Sequence, residues 1–357
     1  MPSVASPPGS RRSCERPAVN PAPSGLDAVA AVRAALEPGR DRVRDHADGF
    51  TWRPDAFEQR VTVVHSRDDG SCRVEACTAI LREVVGRGPE FAVLAARNAR
   101  EPGMSSLRWD AMSGDVSLIA AVVARPGDGG RAARRLAHAA LLQLGDALLA
   151  ADELALELPA ASLAEVPDAA GALAPPVAAV HAWRAYAAGA TRSSTQLPEH
   201  VAKLVTLAPA PWRRATRAVH GVDAEIDCAP HAAGLAPGAR LALLRVSALQ
   251  PHPRLGAGLM LALVPPESSE PIAERAAATA ALLNEGEARE WMGVDALGGW
   301  CVHPAAGLSH VVFVPALAVE QDTVETLAIE AAARARWAVE FLARVAERRT
   351  GATPTTA

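Results

Sequence analysis

The chain has 357 residues, of which 50% are hydrophobic and 21% charged, with a formal net charge of -4. That much apolar content at this length buries one large core or two ordinary ones, and it excludes a natively unfolded chain. The pI near 6.2 and the interspersed charges supply no basic field for a polyphosphate backbone, so nucleic acid is not an expected partner. Arginine supplies nearly all the positive charge, Lys203 being the only lysine, and aromatic residues are 4% of the chain although seven of them are tryptophan.

Residues 1–25 read as a disordered tail. Arg11 and Arg12 stand in it, but no apolar segment follows, so neither a general secretory nor a twin-arginine signal is expected. Cys14, Cys72, Cys77, Cys228 and Cys301 are odd in number and widely spaced, which fits reduced thiols and a cytoplasmic location better than a disulfide framework. The longest apolar runs, near Ser117 to Ala124 and Gly256 to Val264, fall far short of the roughly 20 residues that span a bilayer.

The first domain is expected over 26–155. LDAVAAVRAALEPG predicts a helix with Leu26, Val29, Val32 and Leu36 on one stripe. RVTVVHS and CRVEACTAILREV predict strands joined by a turn containing Asp-Gly. GPEFAVLAARNAREPG predicts a second helix, SSLRWDA and DVSLIAAVVA a hairpin turning at Ser113 and Gly114, and the segment from about Gly130 to Ala151 a long helix. Residues 156–196, rich in proline and alanine, read as a linker with a possible helix near HAWRAYAAGA.

The second domain, 197–349, repeats the order. LPEHVAKLVTLAP predicts a helix, and WRRATRAVHGVDAEIDC, ARLALLRVSAL and LGAGLMLALVPP predict three strands. A helix over EPIAERAAATAALLNEGEA, a hairpin of LGGWCVHP with LSHVVFVPAL, and a long closing helix follow. Asn98 and Asn284 both stand late in the middle helix of their halves, each followed by a hairpin. The expected fold class is therefore α+β: two tandem domains, each a small antiparallel sheet with helices in α-β-β-β-α-β-β-α order, repeating at about 190 residues.

Three sets of residues are candidates for chemistry. Cys301 and His303 share one face of a strand, the spacing a Cys/His nucleophilic pair would use. His220, Asp223, Asp227, Cys228 and His231 carry ligand-type groups, but their spacing matches no common zinc signature. Either set would serve a small-molecule hydrolase or a metal-dependent enzyme. Arg131, Arg134 and Arg135 open a helix behind Gly127, Gly129 and Gly130, as an anion or nucleotide sensor would require, although the Gly-Lys-Ser/Thr ending of a phosphate loop is missing and the corresponding segment of the second half, AVEQDTVETL, is acidic. No catalytic residue, metal or cofactor is assigned. The tryptophans serve as core volume or as the anchors of an apolar groove.

The order of elements, LAARNA, and the segments SLRWDAMSGDVSLIAAVV and LLNEGEAREWMGVDALGGWCVHPAAGLSHVVFVPAL together resemble the type III secretion chaperone-like fold that includes the YbjN family. The resemblance covers roughly residues 26–155 and 197–348. It implies a non-enzymatic, chaperone-like or regulatory protein that binds a peptide or protein client, with the halves forming an intrachain pseudo-dimer or the chain forming a homodimer. Candidate peptide contacts are Trp109, Trp300, His303 and Phe313. Because Trp212, Trp291, Trp300 and Trp337 all fall in the second domain, that half is expected to carry the binding surface.

Overall fold

The computed structural model describes residues 21–36, 43–53, 57–84, 89–128, 130–158, 160–162, 197–207, 212–228, 241–266, 273–320 and 322–350. The first half runs α1 (Pro23–Leu36), β1 (Val43–His46), β2 (Gly49–Trp52), β3 (Gln59–Ser66), β4 (Cys72–Arg82), α2 (Pro89–Arg100), β5 (Ser106–Trp109), β6 (Val116–Ala124) and α3 (Arg131–Glu157), with a two-residue β7 (Ala161–Ser162) added beside β4. The second half runs α4 (Leu197–Leu207), β8 (Trp212–Ala218), β9 (Gly221–Asp227), β10 (Leu241–Ser247), β11 (Gly258–Val264), α5 (Ala273–Arg289), β12 (Gly299–His303), β13 (Gly307–Pro315) and α6 (Thr323–Thr350).

Two α+β units with antiparallel sheets are present, and each has four strands before its middle helix where the expected order has three. Sheet A has the order β1-β2-β3-β4-β6-β5 and sheet B the order β8-β9-β10-β11-β13-β12, the same path walked twice. In the first half the unforeseen strands are β1 and β2, four residues each and without apolar alternation. In the second, the single run WRRATRAVHGVDAEIDC is a hairpin that turns ahead of Gly221. Gly221 sits at φ 146°, where a Cβ would lie 2.1 Å from the carbonyl oxygen of Val246, and the matching Gly49 would place one 2.0 Å from that of Val61. Only glycine lets the neighbouring strand approach so closely.

The registers carry the repeat to the residue level in the middle of each sheet, with bulges at Val63/His65, Ala79/Leu81 and Trp212/Arg214 that the other half lacks. Leu118 opposes Thr78 as His310 opposes Leu263, and Cys77 opposes Arg60 as Ala262 opposes Arg245. Asn98 and Asn284 are equivalent too. Asn98 accepts from the amide of Leu107 on β5 at 2.9 Å and donates to its carbonyl at 3.2 Å. Asn284 does the same to Trp300 on β12, at 2.8 and 2.9 Å. In each half this amide holds the middle helix against the strand that follows it.

Helices α1 and α3 cover the inner face of sheet A, and α4 and α6 that of sheet B. The alanines of α3 serve this packing, since Ala132, Ala139, Ala140 and Ala147 let the helix lie close on the sheet while Leu136, Leu144 and Leu154 fill the gaps. A buried polar knot is enclosed there: Gln143 donates to the carbonyl of Ala76 and the hydroxyl of Ser105, and accepts from Gln59 and Thr78. Trp52 donates to Gln59 at 2.8 Å, so the group is satisfied internally, as burial demands.

The halves share one hydrophobic core, which runs from Val32, Phe50 and Leu136 in the first to Leu244, Trp300 and Phe341 in the second. The middle helices α2 and α5 pack on each other, and each reaches the other half's outer strand, α2 on β12 and α5 on β5. Sheet edges left open beyond those short strands are also exchanged. Ala121 on β6 and Ala296 form a two-way backbone bridge at 3.1 and 2.8 Å, and Phe313 on β13 donates to the carbonyl of Gly103 at 3.2 Å. At the centre Glu287 is fully buried and accepts from Arg334 at 2.7 Å and from the indole of Trp300 at 3.2 Å, with Arg108 of the first half 3.9 Å away. The arrangement is an intrachain pseudo-dimer.

Candidate functional site

The arginines expected to meet an anion instead tie the two halves together. Arg131 pairs with Asp322, Arg134 with Glu320 at 2.5 Å, and Arg135 with Asp295 at 2.8 Å and Glu330 at 3.9 Å. The acidic segment of the second half is the partner of Arg131 and Arg134, whereas Arg135 meets Asp295 and Glu330 outside that segment. The glycine-led turn is a helix start with Gly130 as N-cap. Gly129 lies outside the described residues.

Among the described residues the two expected enzymatic sets are brought together only in part. Cys301 is fully buried, and burial pushes its thiol up to about 12, the opposite of nucleophile activation. His303 is two residues further along β12, where its Nδ1 accepts from the amide of Ala305 at 3.2 Å. Asp223 bridges His220 at 2.9 Å and Arg245 at 3.0 Å. Cys228 is buried away from them, and His231, like Cys14, lies outside the described residues. Among the described residues no group of three His, Cys, Asp or Glu side chains could hold a metal ion. Cys72, Cys77, Cys228 and Cys301 form no disulfide among the described residues.

Three of the four expected peptide contacts are structural. Trp300 and Phe313 are fully buried. Phe313 packs against His252, with ring centres 4.9 Å apart. Trp109 is half-buried against Phe91 and donates to the carbonyl of Val84 at 3.2 Å. His303 lines an open groove.

That space is the outer face of sheet B, a concave groove of about 820 Å³. Its floor is apolar: Leu243 on β10, Met260, Ala262 and Val264 on β11, and Val311 on β13. Pleating puts all of these opposite α6, whose contacts are with Leu244, Leu261, Leu263 and Val312 on the other face. Arg214, Thr216, Asp223, Glu225 and Arg245 form one rim, and His303, Ala305 and Ala306 the opposite one. Ala99 and Pro102 of the first half wall one side. Leu243, on the floor, is 54% exposed, a large apolar side chain left facing the groove. Asp223 keeps its carboxyl below the usual range, because its bonds to Arg245 and His220 outweigh its partial burial.

On sheet A the second half covers the matching surface. Where β11 has Gly258 and Met260, β4 has Arg73 and Glu75, both buried. Arg73 donates to the carbonyl of Glu287 in the last turn of α5, Arg67 stands over the ring of Trp291 at 4.2 Å and Arg125 donates to the carbonyl of Gly293 at 2.6 Å. The covering connection is the longer of the two. Asn98 and Leu107 are nine positions apart while Asn284 and Trp300 are sixteen, and the extra residues carry Trp291. The shorter connection of the first half, ending at Pro102 and Gly103, reaches only the border of sheet B.

The floor residues were not singled out from sequence, although β11 carries a signal for them. GLMLALV is apolar at every position after its glycine. An antiparallel strand with one face in water alternates, so an unbroken run marks a second apolar face. No protein-family model, curated protein or solved structure matches this chain.

Proposed function

We propose that this chain is a non-enzymatic, chaperone-like protein that binds a polypeptide client on the outer face of sheet B. The observation that carries this reading is the open apolar floor of Leu243, Met260, Ala262, Val264 and Val311, in a molecule whose other sheet surfaces pack largely against its own helices. An exposed apolar surface of this kind marks a docking site. The resemblance to secretion chaperone-like and YbjN-like proteins agrees with it, as does the pseudo-dimeric packing. A cytoplasmic setting fits cysteines that form no disulfide among the described residues, and no described helix is long and apolar enough to cross a membrane. The competing enzymatic reading is weakened by the burial of Cys301, which pushes its thiol up to about 12.

Binding of a fluorescently labelled, reduced and carboxymethylated unfolded protein, followed by anisotropy, tests the reading. The parent chain binds, and Ala262→Arg and Leu243→Asp weaken binding at least tenfold. Equal binding by parent and variants, or none by any of them, would refute it.

A further inference from the structure

We infer that the client segment seated in the sheet B groove is an amphipathic helix of two to three turns; this rests on the polypeptide-binding reading above. The groove lies on a sheet face, and the backbone groups of β9, β10 and β11 are already engaged by strands on both sides. An extended segment laid there would find no ladder to join, and its own N–H and C=O groups would lose water over an apolar floor without gaining partners. A helix satisfies its backbone internally and presents only side chains.

Dimensions and surroundings agree. From Met260 to Val264 the floor runs about 13 Å along β11, the length of about nine helical residues. The exposed Leu243, paired with Val264, marks one end of this stretch. The groove also continues the interface at which the halves already pack helix ends on outer sheet faces. One wall is the C-terminal end of α2 through Ala99, and the last turn of α5 occupies the matching place on sheet A. The face is concave, so the same concave face of a second copy does not fill it, whereas a convex helix with apolar residues at i, i+3, i+4 and i+7 does.

Two display pools of 14-residue peptides with matched composition test the inference, one with apolar residues at helical spacing and one alternating. Both are selected on the full-length chain and counter-selected on Ala262→Arg. The expected result is enrichment of the helical pool at least tenfold over the alternating one, lost on Ala262→Arg. Preferential enrichment of the alternating pool would overturn the helical client and leave the polypeptide-binding reading standing. Enrichment of neither pool overturns the helical client, and if light scattering then shows a dimer that Ala262→Arg dissociates, a second copy occupies the face and the client reading falls with it.

Discussion

The side-chain amide of Asn284 clamps the backbone of Trp300 from both sides, accepting from its N–H at 2.8 Å and donating to its carbonyl at 2.9 Å. Asn98 holds Leu107 by the same two bonds. The clamp fixes the start of the last hairpin in each half and, through it, the strand that the other half's helix packs against.

Asn284→Ala removes both bonds and leaves a buried amide and carbonyl without partners, at a cost of about 2–4 kcal/mol. Asn98→Ala costs a similar amount. Urea denaturation of each variant measures it, and a loss below about 0.5 kcal/mol in both would show that the clamp is not a determinant of the fold.

Gly221→Ala has a different mechanism. At φ 146° the new methyl would meet the carbonyl oxygen of Val246 at 2.1 Å, so β9 and β10 must separate. The expected destabilisation is about 2 kcal/mol or more. Gly293→Ala, also at positive φ but with open space around it, costs less, because it meets the backbone penalty without the clash. Thermal unfolding of the two variants separates these contributions.

Glu330 gives the interface a pH signature. Burial, with the neighbouring Asp295, raises its carboxyl to about 8 against the opposing pull of Arg135 and Arg334. A carboxyl raised in the folded state binds its proton more tightly there than in the unfolded chain. Its contribution is fully present below the ordinary value of 4.5 and is lost as pH rises through about 8, at about 1.4 kcal/mol per pH unit. Glu330→Gln mimics the protonated form, so the stability of the parent relative to this variant falls between pH 5 and 8 and then levels. Denaturant midpoints of both proteins across that range provide the test; parallel pH profiles would contradict it.

Glu287→Ala leaves Arg334 and Arg108 buried without their shared carboxylate, and breaking such a group by removing one member costs about 3–5 kcal/mol. A double variant that also carries Arg334→Met recovers part of the loss, since no uncompensated charge then remains at that position. Urea midpoints for the two single variants and the double variant complete the cycle.

Local chemistry made much of this architecture legible. The strand β6, VSLIAAVVA, and the alanine-rich α3 announce themselves by composition and periodicity. The repeat was visible in the two asparagines, because the same helix-to-strand clamp needs the same side chain twice. The short β1 and β2 were not, since four residues such as VRDH have too few positions to show alternation. The roles of the arginines were also hidden. Arg131 and Asp322 are 191 positions apart, and only packing decides whether a helix-start arginine meets an anion from solution or a carboxylate from the other half.

The sequence by itself determined the duplication, the α+β class and the two middle helices with their asparagine clamps, because each follows from local periodicity and side-chain chemistry. Tertiary structure alone decided that Trp300 and Phe313 are interior, that Arg131, Arg134 and Arg135 are interface residues, and that the open face is the outer side of sheet B. Burial depends on what packs from elsewhere in the chain. Here a connection seven residues longer in one half than in the other brings Trp291 over sheet A and leaves Leu243, Met260 and Ala262 of sheet B facing open space.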